Sequence, residues 1–181
     1  MKSENIYIIQ TYSQTIPSKI VKLVTRYKYS HIGICLNKNC DITYSFGRTK
    51  THNFLKGGFV VEHKDGEFYK KFNKTLCRIY ELKIDEEKYE QIKEHLHYMK
   101  LNKNIYKYDF LGAILRTFYI PVRFNNRYVC SQFVAEVLEK FNIYKFDKDL
   151  KFIKPKDFDI IDNIKEIYIG EYLAYHSIKG D

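Results

Sequence analysis

Two short segments far apart in the chain carry residue types that do nucleophilic chemistry together. Ser30-His31-Ile32-Gly33-Ile34-Cys35-Leu36 sets a histidine on an alternating apolar run, and Tyr128-Val129-Cys130-Ser131-Gln132-Phe133-Val134-Ala135-Glu136-Val137-Leu138 sets a cysteine where a helical period begins. A thiol beside an imidazole passes its proton to the ring and becomes the thiolate, which is the nucleophilic form. At a helix N-terminus, unpaired N–H groups and the positive dipole end favour thiolate over thiol. The same N–H groups, that of Cys130 first, are candidate donors to the oxyanion that forms when a thiolate attacks a carbonyl. Taken singly, each residue has a plainer reading: Cys130 as a small buried apolar residue, and His31 as a polar residue on a strand rim. Gly33 is the more pointed neighbour, since it clears the face beside the imidazole for a helix end or a substrate.

The elements that must position this pair are legible from period. Residues 5 to 11 form a strand, and Ile20, Val21, Leu23, Val24 and Tyr27 then share one face of a helix over 16–27, with Pro17 in its first turn. The run 30–36 puts Ile32, Ile34 and Leu36 on one face and His31, Gly33 and Cys35 on the other. Asn37-Lys38-Asn39-Cys40-Asp41 is turn chemistry, so Ile42 to Gly47 returns as an antiparallel partner. From Arg48 to Asn73 the pattern fails, and Gly57-Gly58 and Asp65-Gly66 read as turns around a short strand at 59–62, a loop-rich excursion forming one wall of a cleft. Residues 75–82 form a strand, and Asp85 caps a helix with Tyr89, Ile92, Leu96 and Met99 at its apolar positions. A second helix spans 108–119 and ends at Pro121. After Asn125-Asn126-Arg127, the helix over 130–141 buries Phe133, Val134, Val137, Leu138 and Phe141. A turn or short helix at 154–158 and a last strand at 165–169 follow.

Composition bounds the class. The chain of 181 residues reads as a single domain over 1–181 with an aromatic-rich core, holding 17 Tyr and 13 Phe but no Trp. Its formal net charge of +9 is spread along the chain, as on a solvated surface. It suits an anionic partner without naming one, and no arginine-rich arm, zinc-finger spacing or RNA-binding signature points to nucleic acid. There is no signal-peptide core after Met1 and no transmembrane stretch, and Cys35, Cys40, Cys77 and Cys130 are irregularly spaced. Together these predict reduced thiols and a cytoplasmic location. No cofactor is called for. His31, Cys35 and Cys40 fit no closed zinc spacing, His95 and His97 fall on different helix faces, and His52, His63 and His176 read as solvated. Nothing in the sequence sets an oligomeric state.

Five ordered segments carry a resemblance: Ser30-His31-Ile32-Gly33-Ile34, Tyr44-Ser45-Phe46-Gly47-Arg48, Gly57-Gly58-Phe59-Val60, Tyr128-Val129-Cys130-Ser131-Gln132-Phe133-Val134-Ala135 and Pro155-Lys156-Asp157-Phe158. The chain resembles the permuted papain-like amidases and cysteine peptidases of the YiiX/YaeF type in the NlpC-like superfamily, where the histidine strand precedes the cysteine helix. The resemblance implies an α+β, circularly permuted papain-like fold, with an antiparallel, partly barrelled sheet packed against the cysteine helix. It implies a thiol hydrolase with Cys130 as nucleophile and His31 as general base and then acid, working through an acyl-enzyme. A third polar residue orienting the imidazole is expected on the strand after the histidine strand. That strand holds no carboxylate, so Ser45 is the first choice and Tyr44 the second.

Tyr44, Tyr128 and Gln132 are the candidates for touching substrate, Tyr128 through an oxyanion-stabilising hydroxyl or simply as a packed ring, Gln132 as a cap, a substrate contact or a solvated side chain. The expected reaction is cleavage of an amide bond in a peptide, an isopeptide or a peptidoglycan fragment. The alternatives are a thiol acyltransferase or esterase acting on lipid substrates, and a binding module on a degenerate papain-like scaffold that holds peptides without turning them over.

Overall fold

The computed structural model describes residues 2–50, 53–109 and 127–176. Among them runs one mixed sheet of eight strands in the order β7-β6-β4-β3-β2-β1-β5-β8. The strands are β1 (Ser3–Tyr12), β2 (His31–Cys35), β3 (Ile42–Lys50), β4 (Asn53–His63), β5 (Leu76–Asp85), β6 (Lys107–Tyr108), β7 (Arg127–Tyr128) and β8 (Lys165–Glu171). Every pairing is antiparallel except β6 with β7. The helices are α1 (Ile16–Thr25), α2 (Glu67–Lys71), α3 (Glu86–Leu101) and α4 (Cys130–Lys140). The architecture is therefore α+β. The helix expected over 108–119 lies outside the described residues but for Tyr108, which is in β6, and Asp109, which is in neither helix nor strand, and Asn125, Asn126 and His52 lie outside them as well.

β1 lies inside the sheet between β2 and β5, and its alternation feeds two cores. Ile6 and Ile8 join Ile32, Ile34, Phe46 and the inner faces of α3 and α4 on one side of the sheet. Tyr7 and Ile9 join Cys35, Cys40, Cys77, Tyr69 and Tyr172 on the other. A strand covered on both faces has no polar side to alternate with, which is why residues 6–11 are all buried. α3 and α4 follow the helical period: Ile92, Leu96 and Met99 are buried in the first, and Phe133, Val134, Val137 and Leu138 in the second. Asp85 occupies the N-cap of α3 without a side-chain cap bond.

Three expectations change. The stretch 48–73 is not an irregular excursion: β3 and β4 form a long antiparallel hairpin that pairs Ile42 with His63 and continues to Arg48 with Gly57. Gly57-Gly58 is not a turn but the middle of β4, where backbones crowd. A Cβ on Gly57 would meet the Gly47 carbonyl, and one on Gly58 the Tyr106 carbonyl. The apolar face of α1 is not a core face. Ser18 is its one buried residue, while Ile20 and Leu23 stand exposed. Helical period reveals a stripe, not what covers it.

The chain after α4 is tied back by one carboxylate. Asp159 accepts from Tyr27 Oη at 2.8 and 2.9 Å, Tyr80 Oη at 2.8 Å, Gln10 Nε2 at 3.0 Å and Arg78 Nη1 at 3.1 Å. A carboxylate with donors on both oxygens is a strong anchor, and here it fastens the 3₁₀ turn Pro155–Ile160 to β1, β5 and the segment after α1.

Gly33 has a packing role rather than the clearing role expected of it. A Cβ there would press into Thr43 Cγ2 and lie 2.9 Å from the Tyr44 carbonyl oxygen. Gly33→Ala should therefore cost about 1–3 kcal/mol through overpacking between β2 and β3. Urea unfolding followed by circular dichroism checks this, with an unchanged midpoint as the contrary result.

Candidate active site

His31 and Cys130 are each the first residue of their element, β2 and α4. Val129 is the N-cap of α4 in extended backbone and gives no side-chain acceptor to the first-turn N–H groups. Cys130 is 7 % exposed, at the margin of the larger core. Its neighbours in α4 are fixed: Ser131 Oγ donates to the Ile153 carbonyl at 2.6 Å, and Gln132 Nε2 to Glu136 Oε1 at 2.8 Å.

The imidazole is oriented by a residue that sequence reasoning missed. His31 Nε2 lies 3.1 Å from Glu62 Oε1, with both side chains about one-fifth exposed (22 % and 21 %). Glu62 is the penultimate residue of β4 and pairs with Thr43. Its other oxygen, Oε2, accepts from Tyr69 Oη at 2.7 Å. Tyr69 comes from α2 and is itself buried, its ring set edge-on to Tyr172 with centroids 4.7 Å apart. Burial first, and then the Glu62 charge, push the Tyr69 hydroxyl well above its usual range, so it remains a donor. Gly47 lies beneath the pair: a Cβ there would stand 3.6 Å from His31 Cε1 and 3.7 Å from Glu62 Oε1. A residue larger than alanine would intrude between them.

The electrostatics favour a charged ring. Burial works against charge on His31, but the Glu62 carboxylate and hydrogen bonding and negative charge at Cys130 outweigh it, and the His31 pKa lies well above 6.5. With Nε2 engaged by Glu62, Nδ1 is the ring nitrogen left to the thiol side. The other three cysteines lie buried in the second core. Cys40 is pushed far up, chiefly by its hydrogen bond to Cys35 and by burial, and burial pushes Cys77 up to about 12.

The remaining expected site residues are placed differently. Ser45 does not contact the imidazole, because its hydroxyl is fully buried and donates to the Ile32 carbonyl at 2.6 Å. Tyr44 pairs with Ile34, three residues along β2 from the histidine, and stacks on Phe59 at 6.3 Å in the larger core. Tyr128 packs its ring against Phe46 at 4.9 Å and Tyr106 at 6.3 Å. The signal that would have found Glu62 is the hairpin register: a strand reaching His63 opposite Ile42 puts a carboxylate on the histidine's side of the sheet.

A cleft opens beside His31 and Glu62, with Gly47 and Tyr69 also in its wall. Among the described residues no group of three or more His, Cys, Asp or Glu side chains could hold a metal ion. No protein-family model matches the chain, and no curated protein matches it in sequence.

A histidine whose folded pKa exceeds its unfolded value near 6.5 stabilises the fold fully below pH 6.5, and that contribution is lost as pH rises through the folded pKa. Glu62 is the largest upward influence on the ring, so Glu62→Gln should lower the His31 pKa toward its ordinary value and flatten this loss of stability. Titration of the His31 Cε1 proton resonance checks it, and an unmoved titration would remove Glu62 from the role assigned to it.

Proposed function

We propose that this protein is a cysteine-nucleophile hydrolase that cleaves an amide bond through an acyl-enzyme, with Cys130 as nucleophile, His31 as base and then acid, and Glu62 as the positioning residue. The observation that carries the reading is His31 held on Nε2 by Glu62, with Cys130, the first residue of α4, among the groups that raise the pKa of the same ring. The resemblance to permuted papain-like amidases rests on the order of the five segments and is part of the proposal. So is a reducing compartment such as the cytoplasm, in keeping with four free cysteines.

In the first half-reaction the Cys130 sulfur bonds to the substrate carbonyl carbon, and the oxygen takes up negative charge facing the first-turn N–H groups of α4. The tetrahedral intermediate collapses, the C–N bond breaks, and the His31 imidazolium delivers its proton to the leaving amine. Neutral His31 then takes a proton from water as the water oxygen attacks the thioester. The carboxylic acid leaves and the thiolate–imidazolium pair is restored. Glu62 stays ionised throughout and holds the ring in one tautomer and one orientation, while Tyr69 holds Glu62. An amine or alcohol in place of water would make the same acyl-enzyme a transferase.

Incubation with a panel of amide and ester acyl donors, followed by intact-mass measurement, should show an acyl adduct that maps to Cys130 and is absent from Cys130→Ala. His31→Ala should slow adduct formation about 10²–10⁴-fold and Glu62→Gln about 10²-fold. Alkylation near neutral pH should label Cys130 before Cys40 or Cys77. Absence of an adduct across the panel, together with Cys130 alkylation unaffected by His31→Ala, would leave a binding module instead.

A further inference from the structure

The apolar face of α1 that the core does not use is one of two exposed aliphatic clusters on the lips of the cleft. Ile16, Ile20 and Leu23, spaced to share one side of the helix, are 76 %, 41 % and 79 % exposed. Pro17, Ser18 and Val21 of the same helix line the cleft. On the cleft's other lip, Leu101 and Ile105 are 70 % and 53 % exposed, among Lys100, Lys103 and Lys107, which line it. Large aliphatic side chains seldom stand this exposed in groups unless something covers them.

The charge around both clusters says what. Between Glu4 and Asp41 the sequence has no acidic residue but carries Lys19, Lys22, Arg26, Lys28 and Lys38, and between Glu94 and Asp109 it again has none, with Lys100, Lys103 and Lys107. At about 100° per residue, Lys19 flanks the Ile16-Ile20-Leu23 stripe, and Arg26 follows as the C-cap of the helix. Lys22 lies with its Nζ 4.6 Å from the centre of the Tyr12 ring. Glu62 and Glu67 also line the cleft, but neither belongs to α1 or to the end of α3, and inserting aliphatic side chains bordered by cations are what an anionic lipid surface selects for: the alkyl groups enter the headgroup region while lysine and arginine pair with the headgroups. A protein partner of opposite charge would meet the cations but would not require aliphatics on two separate elements around one opening.

We propose that the two lips of the cleft, α1 and the end of α3 with the turn that follows, seat the protein on an anionic phospholipid surface so that the cleft beside His31 opens toward the bilayer. Among the described residues no helix is long and apolar enough to cross a membrane, so this is attachment at the interface. The proposal does not depend on the catalytic reading, because surface binding is measured without turnover.

The test is co-sedimentation of the full chain with phosphatidylcholine vesicles containing about 30 % phosphatidylserine, against pure phosphatidylcholine vesicles. Binding should require phosphatidylserine and weaken as salt rises toward about 0.5 M. It should fall at least about tenfold in Ile20→Ser/Leu23→Ser and in Leu101→Ser/Ile105→Ser, and likewise in Lys19→Glu/Arg26→Glu. Ile160→Ser and Ile169→Ser, which alter aliphatics 73 % and 51 % exposed that are not cleft-lip residues, should bind as the parent does. All substituted sites are exposed, and an unchanged thermal melt verifies folding. Failure to bind the anionic vesicles overturns the proposal, as does binding that the lip substitutions leave intact. A dimer in solution that the lip substitutions dissociate, with no vesicle binding, overturns it in favour of a second copy as the occupant.

Discussion

The Glu62 carboxylate sets the state of the candidate site. A histidine one-fifth exposed beside a core loses solvation when it is charged, and with burial alone it would sit neutral. One oxygen of Glu62 faces the ring and the other is held by Tyr69, so the carboxylate cannot swing away to solvent without giving up a buried hydroxyl donor. Tyr69 in turn is fixed by its packing on Tyr172 from the far end of the chain. The orientation of His31 therefore traces back to the second core.

That dependence explains why the sheet has two covered faces. The larger core, under α3 and α4, carries Cys130 at its margin, whereas the smaller one carries Tyr69 and Tyr172. β2 sits between β1 and β3 and gives Ile32 and Ile34 to the first core and Cys35 to the second. His31 is the first residue of β2 and Cys130 the first of α4, so both candidate residues stand at element ends. The Asp159 anchor serves the same arrangement from outside, by holding the chain after α4 against β1 and β5. Ile153 in that returning chain accepts the Ser131 hydroxyl one residue beyond the cysteine.

Much of this was legible from residue order. The alternation around His31, the helix beginning at Cys130, the antiparallel return after Asn37 and the apolar period of α3 are local patterns, and the structure forms each of them. Glu62 was not legible, for a physical reason. Its contact with His31 crosses two strand pairings, so it depends on a register that no single segment encodes. Glycines compounded the difficulty, since Gly57-Gly58 has the composition of a turn but occupies the middle of β4, where small residues admit neighbouring backbone. Ser45 looked suitable because it is polar and lies on the adjacent strand. A buried hydroxyl, however, must find an acceptor, and that of Ser45 donates to the Ile32 carbonyl.

In the proposed enzyme, environment rather than residue type sets Cys130 apart from the other three cysteines. Cys35, Cys40 and Cys77 share an interior of aromatic and aliphatic side chains, where a thiolate would be desolvated and set beside other thiols. For Cys40 and Cys77 that environment raises the cost of ionisation. The Lys64 ammonium is nearby and lowers both, but it is engaged by the Tyr175 and Asn39 carbonyls and the desolvation cost prevails. Cys130 differs in having a helix start behind it and a histidine beside it that Glu62 keeps positively charged. In the proposed mechanism the charge of a thiolate there is met by the imidazolium and by the first-turn N–H groups of α4, two sources that the other three thiols lack.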